Sequence, residues 1–191
     1  MPDLEFETKL ADGTNILVRK IQDSDKPCLM TEFDKLSPNS RHCRFLSSMN
    51  RLPDRYATYL TNIDHYNHVA LCVSDISDSK NQGIGVARFI RLHDQPSTAE
   101  FAITVVDEYH GRGLGSLLMD ILIQFALDNG IKHFEAYVLN SNDTMKHMLI
   151  NRGATWCVET DATLHFRLSL QHENNNRNWV FRDAIQKLGC A

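Results

Sequence analysis

The apolar positions of this chain change period along its length. Residues 16–21 (ILVRKI) form a compact apolar run of strand character. Ser24-Asp25-Lys26-Pro27 follows, a capping residue and an early proline that open a short helix running to Leu36. Ser37-Pro38 opens a second helix over SPNSRHCRF, and DRYATYLTNI after Pro53 predicts a third. After residue 66 the period becomes that of strands. HVALCVSD (68–75), GIGVARFIRL (83–92) and TAEFAITVV (98–106) are separated by the polar turns DISDSKNQ and HDQPS, which reads as an antiparallel meander.

Residues 112–128 carry the clearest helix. Leu114, Leu117, Leu118, Ile121, Leu122, Phe125 and Ala126 keep helical spacing, while Asp120, Gln124 and Asp128 lie off that stripe. Asn129-Gly130 ends it as a C-terminal cap. KHFEAYVL (132–139) predicts a strand, NDTMKHMLINRG (142–153) a short helix closed by Gly153, and 155–160 with 163–170 two last strands. The remaining 21 residues, 171–191, begin as an asparagine-rich polar linker. Trp179, Phe181, Ala184, Ile185 and Leu188 then give a helical tail one apolar face, suited to docking on its own domain or on a partner.

Composition narrows the function classes. The chain has 191 residues, 42% hydrophobic and 23% charged, within the range of one globular domain with an appendage. Its net charge of −4 offers no footprint for nucleic acid or an anionic membrane. No apolar stretch approaches the roughly 18 residues of a membrane span, and MPDLEFETKLADG lacks the regions of a signal peptide, so a cytoplasmic protein is expected. Five scattered cysteines without a CxxC pair, and nine histidines without ligand spacing, argue against a disulfide framework or a metal site.

The chemistry concentrates at DEYHGRGLGSLL (107–118), where Gly111, Gly113 and Gly115 alternate between an apolar strand and an apolar helix. A dinucleotide fingerprint would need glycine where Ser116 stands, and βαβ units where this chain has a meander. Two readings stay open on the residues alone. One is a tight turn without a ligand; the other is an anion cradle, in which successive amides at a helix N-terminus face a phosphate.

The turn resembles the acyl-CoA-binding motif of the GNAT superfamily of N-acetyltransferases, (Gln/Arg)-x-x-Gly-x-(Gly/Ala), as His110-Gly111-Arg112-Gly113-Leu114-Gly115 with histidine at the first position. The resemblance extends through VLNSNDTMKHMLINRGA and over the whole element order. LADGTNILVRKIQDSD, LSPNSRHCRF, DHYNHVALCV, GVARFIR and AEFAITVVDEYHGRGLG are most similar to bacterial protein lysine acetyltransferases. It implies the GNAT acyl-CoA N-acyltransferase fold over 1–170, of the α/β (α+β) class, with a mixed, mostly antiparallel sheet flanked by helices. It also implies acetyl-CoA as co-substrate and a protein lysine or small amine as acceptor, with a non-catalytic acyl-CoA sensor as the alternative.

By the same resemblance the cofactor contacts fall on Val105, Val106, Asp107, His110, Gly111, Arg112, Gly113, Leu114, Gly115, Ser116, Asn142 and Met145. Amides near Val105 are implied as donors to the thioester oxygen. The tyrosine that many members place later in the helix opened by Asn142 is replaced here by Leu149. Acetyl transfer needs a neutral amine, and a lysine of ordinary pKa ~10.4 is almost wholly protonated at neutral pH, so a base is required. Glu100 shares a strand face with Ala102, Thr104 and Val106. By residue type alone it is either a salt-bridged or edge glutamate or a functional one. The resemblance implies the general base, because AEFAI stands where related enzymes place their catalytic glutamate. Arg41 and Arg44 are substrate-side or fold-stabilising, and Cys157 is expected to be a buried core thiol.

Overall fold

The computed structural model describes residues 4–77 and 81–170, so the linker and tail expected over 171–191 lie outside the described residues. The strands are β1 (Glu5–Lys9), β2 (Asn15–Lys20), β3 (His68–Asp75), β4 (Gln82–Leu92), β5 (Gln95–Val105), β6 (His133–Leu139), β7 (Thr155–Val158) and β8 (Thr163–Ser169). The helices are α1 (Lys26–Lys35), α2 (Pro38–Phe45), α3 (Asp54–Thr61), α4 (Leu114–Asp128) and α5 (Asp143–Ile150). All eight strands join one sheet in the order β1-β2-β3-β4-β5-β6-β8-β7. Every neighbouring pair is antiparallel except β5 and β6, which run parallel because α4 crosses between them.

The predicted elements form, with three differences. The strand β1 carries almost no apolar signal (EFETK) and escapes a periodicity reading. It pairs along β2 while Leu4 and Leu10 at its two ends anchor in the core, each 5% exposed. The turn read as HDQPS shrinks to His93-Asp94, because β5 begins at Gln95 and pairs with Leu92 across a register shift. Cys157 is exposed, not buried: β7 is a four-residue edge strand whose every residue is exposed. The prediction failed there because an edge strand meets the sheet on one side only.

The meander is apolar on the face under α4, where Val69, Leu71, Ala87, Phe89 and Phe101 lie, and mixed on the other, where His68, Cys72, Arg88 and Thr104 lie. Leu114, Leu118, Ile121 and Leu122 of α4 are at most 2% exposed and pack with Val73, Phe89, Phe101 and Phe134 in the main core. Gly85 sits beneath this helix, where a Cβ would meet Leu118 Cδ1 at 3.1 Å. A smaller cluster, Phe33, Leu36, Leu52, Ala57 and Leu60, holds α1 and α3 together. Facing residues in the sheet share a face, so Val105 opposite Gly85 points to the α4 side. Glu100, Ala102 and Thr104 therefore point to the opposite side, toward the helices that precede β3.

Candidate active site

The strands β5 and β6 pair only over Thr98–Glu100 and His133–Glu135. Beyond Glu100, β5 stays with β4 as far as Val105, and β6 stays with β8 as far as Leu139. The sheet therefore splits into a wedge that is closed at Glu100 and open toward the glycine turn. Val106 donates its amide to Ile84 O on the β4 side, so alternation turns the amide and carbonyl of Val105 and of Ile103 into the wedge. An extended polar ligand finds there a strand edge that β6 does not cover. A cavity of about 460 Å³ fills the split.

At the open end, Gly111 and Gly113 adopt left-handed backbone, with φ of +74° and +83°. A Cβ at either would meet nothing within 4 Å, so their glycines answer to backbone conformation and not to crowding. The third glycine differs: a Cβ on Gly115 would touch Met148 Cε at 3.4 Å, where α5 crosses α4. Gly113 is the N-cap of α4 and supplies no side-chain cap. The first amides of this 15-residue helix thus lack intrahelical partners, at the end where its dipole favours negative charge.

The cavity walls include Glu100, Val105, His110, Gly111, Gly113, Leu114, Gly115, Asn142 and Met145, nine of the residues singled out in the sequence. Four others do not line it. Val106 is 3% exposed and lines a separate, smaller cavity beneath α1. The Asp107 carboxylate turns to α2, accepting from Ser37 N at 3.0 Å, Ser37 Oγ at 2.7 Å and Ser40 Oγ at 2.8 Å. Burial opposes its ionisation, and these hydrogen bonds outweigh burial and hold the carboxyl below its ordinary 3.8. The Arg112 guanidinium stacks over Tyr109 and reaches Asp12 at 3.6 Å. Ser116 Oγ accepts from Arg152 at 2.7 Å, and Arg152 also pairs with Asp120 at 2.7 Å, locking α5 to α4.

His110, the irregular member of the motif, bonds through Nε2 to Val105 O at 2.9 Å. It thereby engages one carbonyl of the wedge edge and leaves the Val105 amide. Asn142 caps α5 by accepting from Met145 N at 3.1 Å, which fixes both residues at the cavity wall. Leu149 is fully buried and offers no acid, and His147 is exposed on α5. Tyr109 donates to Asp75 at 2.7 Å, and its hydroxyl pKa is pushed up to about 12 by burial and then by that bond.

Glu100 is exposed to the cavity at the closed end of the wedge. Its neighbour across the register, Glu135, pairs instead with Arg167 at 2.7 Å and His165 at 3.3 Å. The two arginines of α2 part company. Arg41 is structural, donating to Asn50 O and Asp34 O, both at 2.9 Å, and lying over Phe33. Arg44 is half-buried and faces both cavities. Sequence reasoning did not separate them, because helical spacing places both on α2 and only the packing against β5 shows which turns inward. It also missed Ser40, Thr104 and Tyr137, ordinary residues brought to the cavity by the wedge.

The acetyltransferase (GNAT) family profile matches residues 36–153. Acetyltransferase PA5475 of Pseudomonas aeruginosa is 27% identical over 144 residues, 75% of this chain and 77% of its own length. Acetyltransferase Pat of Mycolicibacterium smegmatis is 37% identical over 101 residues, which span 53% of this chain and only 30% of Pat. Among solved structures, the GNAT domain of S. lividans PAT superposes with a TM-score of 0.79 at 26% identity, covering 87% of this chain and 97% of that domain. Among the described residues no helix is long and apolar enough to cross a membrane, and no three His, Cys, Asp or Glu side chains gather to hold a metal.

Proposed function

This chain belongs to the acetyltransferase (GNAT) family, and we propose that it moves the acetyl group of acetyl-CoA to the side-chain amine of a protein lysine, with Glu100 as general base. One observation carries the reading. The wedge joins a strand edge at Val105 to the uncapped N-terminus of α4 at one end and to the Glu100 carboxylate at the other. The protein acceptor rests on the similarity to bacterial lysine acetyltransferases and to the relatives named Pat and PAT.

The residues fit an acyl-CoA. The amides from Gly111 to Ser116 suit a pyrophosphate, and the Ile103 and Val105 edge suits the amide-bearing pantetheine arm. When bound, the thioester supplies an acyl carbon open to attack. Glu100, reaching the amine directly or through one water, takes the ammonium proton and leaves a nucleophilic nitrogen. The nitrogen then forms the C–N bond as the C–S bond breaks; the sulfur leaves with that bond's electron pair and takes up the second proton shed by the new amide nitrogen, giving the CoA thiol. The Val105 amide, on the uncovered strand edge, would donate to the thioester oxygen as negative charge grows there, a contribution of about 2.7–4 kcal/mol for one such donor in other enzymes.

The test is release of the CoA thiol and formation of acetyl-lysine on lysine-containing proteins and peptides. Glu100→Gln is expected to lower kcat about 10²-fold or more while the affinity for acetyl-CoA stays the same. Wild-type kcat in that variant, or transfer to no amine at all, overturns the reading.

A further inference from the structure

Among the described residues, the half-buried and buried arginines have partners, with one exception. Arg19 pairs with Asp25 and Arg152 with Asp120, each at 2.7 Å. Arg41 and Arg91 donate to backbone carbonyls. Arg44, among the described residues, has no carboxylate within ion-pair distance and stacks only on its neighbour Phe45, 4.9 Å from the ring centroid. Its guanidinium stands at the boundary of the two cavities and feels the charge of Glu100 without touching it.

A second cation lies behind it. Arg88 is 4% exposed and sits opposite Ala102 on the sheet face that Glu100 shares. It donates to Leu60 O at 3.1 Å and to His68 Nε2 at 3.0 Å, both uncharged, because burial and then Arg88 itself push the His68 pKa down to about 4. Burial and then Arg44 lower the Arg88 pKa to about 9, so Arg88 stays charged at neutral pH. Two guanidinium charges thus lie close together with no carboxylate in contact with either, and an uncompensated charge in such a place is costly unless a ligand completes it. The imbalance also opposes the approach of a lysine ammonium to Glu100, because Arg44 lines the same cavity.

We propose that Arg44 reads a carboxylate next to the acceptor amine, so that the preferred acceptor is a lysine flanked by an acidic residue. This inference rests on the lysine-transferase reading and deepens it. The flanking carboxylate meets the Arg44 guanidinium while the amine meets Glu100, and the charges at the cleft then balance. Arg88 reinforces the field without touching the acceptor.

The experiment compares peptides that differ only in having Glu or Gln beside a single lysine. Wild-type protein is expected to favour the Glu peptide about tenfold in kcat/KM, chiefly through KM. Arg44→Gln removes that preference, and Arg44→Glu turns it toward a peptide with Lys in the flanking position. Melting curves with and without acetyl-CoA confirm that each variant is folded and binds. A second arm uses small amines carrying either a carboxylate or its amide. Equal rates on both peptides overturn this inference and leave the lysine reading standing. Arg44-dependent preference for the carboxylate-bearing small amine, with no peptide acetylated, overturns the lysine reading and leaves the recognition role of Arg44. A flank preference that survives in Arg44→Gln also overturns the inference.

Discussion

Removing the Asp107 carboxylate tests how the site is assembled. Asp107 follows β5 directly, yet its three hydrogen bonds go to Ser37 and Ser40 at the start of α2. It therefore holds the helix that carries Arg44 against the base of the glycine turn. Hydrogen bonds to a charged acceptor contribute about 1.5–3 kcal/mol each, but this site is half-exposed and water replaces much of the loss. For Asp107→Ala we expect a destabilisation of about 2 kcal/mol, or about 4–8 °C in Tm for a chain of this size. The pH dependence has a definite sign. The folded carboxyl titrates below its ordinary 3.8, so its contribution is fully present above about pH 4 and is lost as pH falls through the lowered value. Thermal denaturation of wild type, Asp107→Ala, Ser37→Ala and the double variant, between pH 3 and pH 8, measures both effects. The single variants should be non-additive by about 0.5 kcal/mol or more, since both remove the bond from Ser37 Oγ to Asp107. A Tm within about 1 °C of wild type, full additivity, or an undiminished difference at pH 3 refutes the clamp.

Further outcomes follow from the same geometry. Gly113→Ala forces a left-handed residue to carry a Cβ and should cost about 1–2 kcal/mol by denaturant unfolding. Gly115→Ala lies in right-handed helix against the flexible end of Met148 and should be close to neutral or mildly stabilising. Equal costs at the two glycines would contradict this account of the turn. His68 is held neutral with a pKa of about 4, so unfolding takes up a proton between pH 6.5 and 4 and stability falls with pH across that window. The slope, about 1.4 kcal/mol per pH unit for one proton, should flatten in His68→Gln, as read from denaturation midpoints. A slope identical to wild type removes His68 as its source.

The legibility of the fold follows from where its signals are local. The stripe from Leu114 to Ala126, the capping serine at Ser37 and the apolar strand runs from residue 68 onward declare themselves within a few residues. β1 does not, since its one apolar residue, Phe6, makes no period and its pairing is set by β2. Cys157 was misread because exposure belongs to the sheet order and not to the residues around it. At the site, the glycine turn was legible as a backbone requirement. The side-chain directions of Asp107, Arg112 and Ser116 were not, because each is taken by a partner 36 or more residues away.

The sequence by itself therefore determined the elements after β1, their order, the glycine turn before α4 and the glutamate at the centre of β5. These rest on backbone propensity and periodicity, which act over neighbouring residues. Only the tertiary structure decided that β5 and β6 part after Glu100, that this split joins Glu100 to the α4 amides, and that Arg44 faces the cleft while Arg41 does not. Those outcomes depend on how α4 crosses the sheet and how α2 is fastened to Asp107. Such long-range packing fixes strand divergence and side-chain direction, and no local stretch of the chain encodes it.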